Sequence, residues 1–170
     1  MPSTRHDRPA PDPVGPGQES VWDYPRPPRL EATTQRLVVT VGGRTIADTV
    51  RGYRVLETSQ APAFYIPPDD TDRSLFRSAG GRSFCEWKGY AEYWTVVAGG
   101  TVAESAAWSY AEPVAAFAAI ADYLSFYPNR VEGCFVDGEH VQCMEGDFYG
   151  GWITSAVVGP FKGPPGTLHW

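Results

Sequence analysis

The sequence has no cluster of lysine and arginine. Fourteen basic residues stand against 20 acidic ones in 170 positions, giving a formal net charge of -6 and a pI near 5.0. Neutralising a phosphate backbone takes grouped cations, so no nucleic-acid partner is expected. No apolar run approaches the roughly 20 residues that span a bilayer, so no membrane contact is expected either. The arginine-bearing N-terminus lacks the apolar core and cleavage site of a secretory signal. Cysteine is scarce: three residues, with no C-x-x-C pair, make neither a disulfide framework nor a zinc knuckle. A protein of a reducing cytoplasm is the simplest expectation. His6, His140 and His169 have no metal spacing and complete no Ser-His-Asp order, so no metal is expected. The glycine pairs sit in hairpin turns rather than ahead of helices, where they would cradle phosphates, so no nucleotide cofactor is expected.

What the chain has is aromatics, at 14%, with 18 Gly and 16 Pro. That balance predicts one mainly β domain, built of hairpins, with one or two short helices. Residues 1–18 are polar and proline-rich and read as a disordered tail, with the folded domain over 19–170. Pro25, Pro27 and Pro28 fix an extended arm that lies across the body, anchored by Trp22 and Tyr24. Gly42-Gly43, Gly99-Gly100 and Asp137-Gly138 mark three hairpin turns. The first two each lead into an apolar-Ala-acid-hydroxyl strand, an internal echo that reads as a repeated hairpin or as convergent turn chemistry. Strands are expected over 53–58 and 63–66, a final strand region over 148–158, a short helix over 70–78 and a second over 113–123.

The densest chemistry lies in Phe84–Trp94, where aromatics surround Cys85, Glu86, Lys88 and Gly89. Strand alternation puts Phe84, Glu86 and Lys88 on one face and Cys85 and Trp87 on the other, unless Gly89 brings a bulge. Cys85 is a candidate nucleophile or redox thiol if Lys88 reaches it; the alternative is a small buried apolar residue. Lys88 is a base, a Schiff-base amine or an anion-stabilising cation, or else the partner of Glu57, Glu86 or Glu92. Glu57 shares a face with Tyr53 and Val55 and is the candidate general base; the alternative is a strand-end residue bonding backbone amides. Tyr65, Trp87, Trp108, Tyr110, Tyr149 and Trp152 are the aromatics expected to line a ligand site, with Trp152 also fitting a core position. Gly150-Gly151 lets a second backbone or a ligand approach closely.

Several short segments match one family in order. They are Ser20-Val-Trp-Asp-Tyr-Pro, Leu56-Glu-Thr-Ser, Tyr65-Ile-Pro, Phe84-Cys-Glu-Trp-Lys-Gly, Ala107-Trp-Ser-Tyr, Phe126-Tyr-Pro, Phe148-Tyr-Gly-Gly-Trp and Gly159-Pro-Phe-Lys-Gly. On these the chain resembles, over 19–170, the bacterial family known as domain of unknown function 427. Glu86 departs from it, since the family commonly has proline there. The resemblance implies a β-tent fold, shared with type B methionine sulfoxide reductases and the thalidomide-binding domain of cereblon. Those relatives often hold zinc on two C-x-x-C knuckles, which this chain lacks. The family is sometimes labelled a nucleotidyltransferase, but no Mg²⁺-binding carboxylate pair or phosphate loop is present to match.

The functional expectation is a small-molecule-binding domain with an aromatic pocket, without cofactor. Acid/base chemistry would use Glu57 as base and Lys88 as anion stabiliser. The rival is a non-catalytic binding or protein-interaction module. A third reading is thiol redox chemistry at Cys85, which requires Cys134 or Cys143 in disulfide range.

Overall fold

The computed structural model describes residues 8–170. Turns set the order of its elements. β1 (Glu19–Ser20) and a 3₁₀ turn at Val21–Asp23 lead through the proline arm to β2 (Arg29–Thr33). β3 (Leu37–Val41) and β4 (Arg44–Thr49) form the first Gly-Gly hairpin, followed by β5 (Gly52–Leu56) and β6 (Ala63–Tyr65). β7 (Phe76–Cys85), β8 (Gly89–Ala98) and β9 (Thr101–Ser109) make a meander. Next come β10 (Ser125–Phe126), and β11 (Gly133–Val136) with β12 (Glu139–His140) about Asp137-Gly138. β13 (Gln142–Cys143), β14 (Trp152–Ile153) and β15 (Val157–Val158) complete the chain.

These strands form antiparallel sheets in the orders β10-β9-β8-β7, β12-β11-β3-β4 and β2-β5-β6, plus the pair β13-β14. The exception is β1, which lies parallel to β15 and ties the two ends of the chain together. The main core collects alternate residues of β3 (Leu37, Val39 and Val41) with Phe76, Val96, Phe126 and Trp152 from the facing strands. A second cluster holds Tyr65, Trp108, Tyr110, Phe117, Ile120 and Tyr127. The arm buries Val21 and Tyr24 against Leu56 and Val157. The Trp22 and Trp170 rings meet at 5.6 Å and Trp22 Nε1 donates to the Pro160 carbonyl at 2.9 Å. A mainly β single domain is therefore what the chain forms, and among the described residues no helix is long and apolar enough to cross a membrane.

Several expected elements take a different form. The helix expected over 70–78 is two 3₁₀ turns, Pro68–Asp70 and Arg73–Leu75, running into a strand. Asp70 is drawn off to Thr49 and Arg51, at 2.6 and 3.0 Å. Phe76 is taken into the sheet opposite Val96, so pairing overrides the local helical pattern. The helix over 113–123 is a 3₁₀ segment, Ala115–Ile120, interrupted at Phe117 (φ -115°, ψ 16°). Its start is tied by Val114 N–H donating to the Lys88 carbonyl at 3.0 Å, and its exit by Asp122 N–H donating to Tyr110 at 2.8 Å. Those anchors leave too short a span for α-helical propagation. The 148–158 region contributes only β14 and β15. The tail expectation falls partly on residues 1–7, outside the described residues. Residues 8–18 form no strand or helix, yet Asp12 N–H donates to Gly159 (2.8 Å) and Gln18 Nε2 to Ser155 (3.0 Å), which ties this stretch to the body.

Candidate functional site

The site begins where β7 turns into β8. The strand expected across Phe84–Trp94 ends at Cys85 and restarts at Gly89, with Cys85 opposite Gly89 and Phe84 opposite Tyr90. Glu86, Trp87 and Lys88 are the turn, closed by Lys88 N–H donating to the Cys85 carbonyl at 3.2 Å. Gly89 supplies φ 109°, which other residues avoid. The assignment of Phe84, Glu86 and Lys88 to one strand face is thus corrected: the chain turns before alternation reaches 86. The turn, rather than a bulge within a strand, brings Lys88 and Cys85 to the same cavity.

Glu57 is likewise past its strand. β5 stops at Leu56 and Glu57 opens a turn, its carbonyl accepting from Gln60 N–H at 3.1 Å. The carboxylate accepts from Gln60 Nε2 at 2.8 Å and lies 3.7 Å from an Arg26 nitrogen. At 16% side-chain exposure, Glu57 is held at an edge rather than displayed on a strand face.

These two turns border a cavity of about 400 Å³. Its lining includes all three expected chemical residues, Glu57, Cys85 and Lys88, together with Tyr65, Trp87, Trp108, Tyr110 and Tyr149. Trp152 does not line it. That indole is fully buried in the main core, its Nε1 donating to the Phe126 carbonyl at 2.9 Å. Gly150 and Gly151 do admit a close approach, but from the protein itself. A Cβ at 150 would overlap the Trp108 ring, and one at 151 the Ala61 carbonyl oxygen.

Lys88 sets the electrostatics. Burial pulls its pKa down, but the Tyr65, Cys85 and Glu57 groups outweigh this and hold it above the ordinary lysine value. That direction favours the charged ammonium over the free amine. Among the described residues no carboxylate lies within ion-pairing distance of it; Glu57 pairs with Arg26 instead. The nitrogen stands 5.9 Å from the Tyr110 ring centre. Around it, burial raises the pKa of Tyr65, of Tyr110 and of Tyr127, the last pushed up to about 12, with Tyr93 adding to that shift. These phenols are neutral donors and acceptors.

Lys162, Tyr93 and Tyr127 also line the cavity, and sequence reasoning did not select them. Lys162 is 9% exposed and 5.4 Å from the Tyr149 ring centre. Burial and Arg26 lower its pKa, against the pull of Glu57. Tyr127 and Lys162 lie inside the segments Phe126-Tyr-Pro and Gly159-Pro-Phe-Lys-Gly, so the signal was present. Arg26 sits in the proline arm, where nothing local marks it.

Cys85, Cys134 and Cys143 are all free; Cys134 is buried in the main core, its thiol pKa raised by burial, and Cys143 is exposed. Among the described residues no group of His, Cys, Asp and Glu is arranged to hold a metal ion. No curated protein matches the sequence. A family model described as a domain of unknown function (DUF427) matches residues 29–137, well over half of the chain and every main strand from β2 to β11. The chain therefore belongs to the DUF427 family.

Proposed function

We propose that this chain is a small-molecule-binding domain whose ligand occupies the aromatic cavity, with Lys88 as its charged anchor. One observation carries the reading: an ammonium set among aromatic walls, with no carboxylate among the described residues paired to it. Desolvating a cation is costly unless something offsets it, and an open cavity beside it leaves that place to a ligand. Where the ligand reacts, Glu57 is the base and Lys88 stabilises the negative charge that develops. Native mass spectrometry of gently purified protein tests the binding. A bound organic species is expected with the wild type and should be lost on Ala63→Phe, which fills the space. No bound species, together with an unmoved melting temperature across a panel of aromatic acids and carbonyl compounds, contradicts the proposal.

A second reading is a non-catalytic binding or interaction module. Two observations favour it: Glu57 is already engaged by Gln60 and Arg26, and Phe84, Tyr90 and Phe148 are exposed. Binding without turnover of any ligand found, unchanged by Glu57→Gln, would select it. Thiol redox chemistry at Cys85 has the least support, given the burial of Cys134 in the main core.

A further inference from the structure

The floor of the cavity has more hydrogen-bond donors than acceptors. Trp108 Nε1, which can only donate, gives its proton to the Tyr65 hydroxyl at 3.1 Å. The Tyr110 ring centre lies 6.4 Å from that of Tyr65. The Tyr65 oxygen is already occupied by the Trp108 proton, and among the described residues no carbonyl or carboxylate accepts the proton of the Tyr65 or the Tyr110 hydroxyl. Lys88, beside both, brings further N–H donors and no acceptor. Tyr65 itself is 1% exposed, so bulk water does not meet this need.

Resting on the reading of the cavity as a ligand site, we propose that Tyr65, Tyr110 and Lys88 form an oxyanion subsite that takes the carboxylate of a flat aromatic or unsaturated acid. A carboxylate is acceptor-only, so it satisfies the spare hydroxyl and the ammonium together. The flat body of the ligand follows from the walls, which include the aromatic rings of Trp87, Trp108 and Tyr149. A phosphate would require a denser set of cations or backbone N–H groups than this subsite's one ammonium and two phenols.

The test is calorimetric titration with cinnamate and with cinnamamide, which share size and shape and differ in charge. Cinnamate is expected to bind the wild type at least about tenfold tighter, as charge-assisted hydrogen bonds allow. Tyr110→Phe and Lys88→Met should each bring the two affinities together while cinnamamide binding persists, which shows that the cavity is intact. Tyr65→Phe should do the same, and if its loss of the Trp108 partner unfolds it, the other two variants decide. Equal binding of the two probes by the wild type overturns the subsite and leaves the cavity a ligand site. Binding of neither probe, with Trp87 and Trp108 fluorescence unmoved, overturns both.

Discussion

Arg26, carried by the proline-rich arm, reaches to 3.7 Å from Glu57 at the edge of the aromatic cavity. The same guanidinium donates to the Thr58 carbonyl at 3.1 Å and to the Trp170 carbonyl at 3.2 Å. One side chain thus connects the arm, the Glu57 turn and the C-terminal segment. Arg26→Ala should cost about 1 kcal/mol, because the group is 35% exposed and its Coulombic part is screened. A fall of roughly 2–4 °C in melting temperature is the expected readout. A larger effect on ligand affinity than on stability would show that Glu57 is positioned through Arg26; an unchanged affinity would limit Arg26 to bracing the arm.

The two Gly-Gly hairpins meet back to back. A Cβ on Gly42 would overlap the Ala98 carbonyl oxygen, and one on Gly99 the Gly42 carbonyl oxygen, and both residues have positive φ. Gly42→Ala and Gly99→Ala should each destabilise the fold by about 2–4 kcal/mol, combining strain with overpacking. Because the residues touch, the double variant should lose less than the two single losses together. Denaturant unfolding of all three measures this, and simple additivity would argue against the shared contact.

The hairpins also show what the sequence made legible. Turn chemistry is local, so Gly42-Gly43, Gly99-Gly100 and Asp137-Gly138 announced their strands, while the packing of Gly42 against Gly99 was not legible. The site was legible as a set of residues but not as an arrangement. Glu57 and Lys88 were both expected on strands, and both lie in turns. Strand ends depend on pairing with distant chain, as Cys85 does with Gly89 and Leu56 with Arg29, and no local pattern encodes that. The Ala-rich 115–120 stretch misled for the same reason: its ends are held by Lys88 and Tyr110, far away in sequence. Trp152 fitted core and cavity equally well until the Phe126 carbonyl beneath its Nε1 placed it in the core.

Trp152→Phe separates these two places. Removing the indole leaves the Phe126 carbonyl without its donor and a small void, at a cost of about 1–3 kcal/mol. Probe binding in the aromatic cavity should be unchanged at temperatures where the variant stays folded. A loss of binding there would join Trp152 to the site after all.

Lys88 should titrate above an ordinary lysine. Its folded pKa is raised, so its contribution to stability is fully present below the unfolded value of about 10.4 and is lost as pH rises through the folded pKa. Lys162, with a lowered pKa, should lose its proton earlier. Carbon-detected NMR titration of the lysine Cε resonances, assigned with Lys88→Met and Lys162→Met, reads both. A Lys88 midpoint below that of surface lysines would contradict the charged anchor.

The most direct test of the account uses the tryptophans as reporters. Indole N–H resonances of Trp87 and Trp108, which line the cavity, should shift saturably as cinnamate is added, while those of Trp94 and Trp152, outside it, stay still. The Trp87 and Trp108 shifts should weaken sharply in Lys88→Met. Still signals at Trp87 and Trp108 would contradict a ligand site in the aromatic cavity.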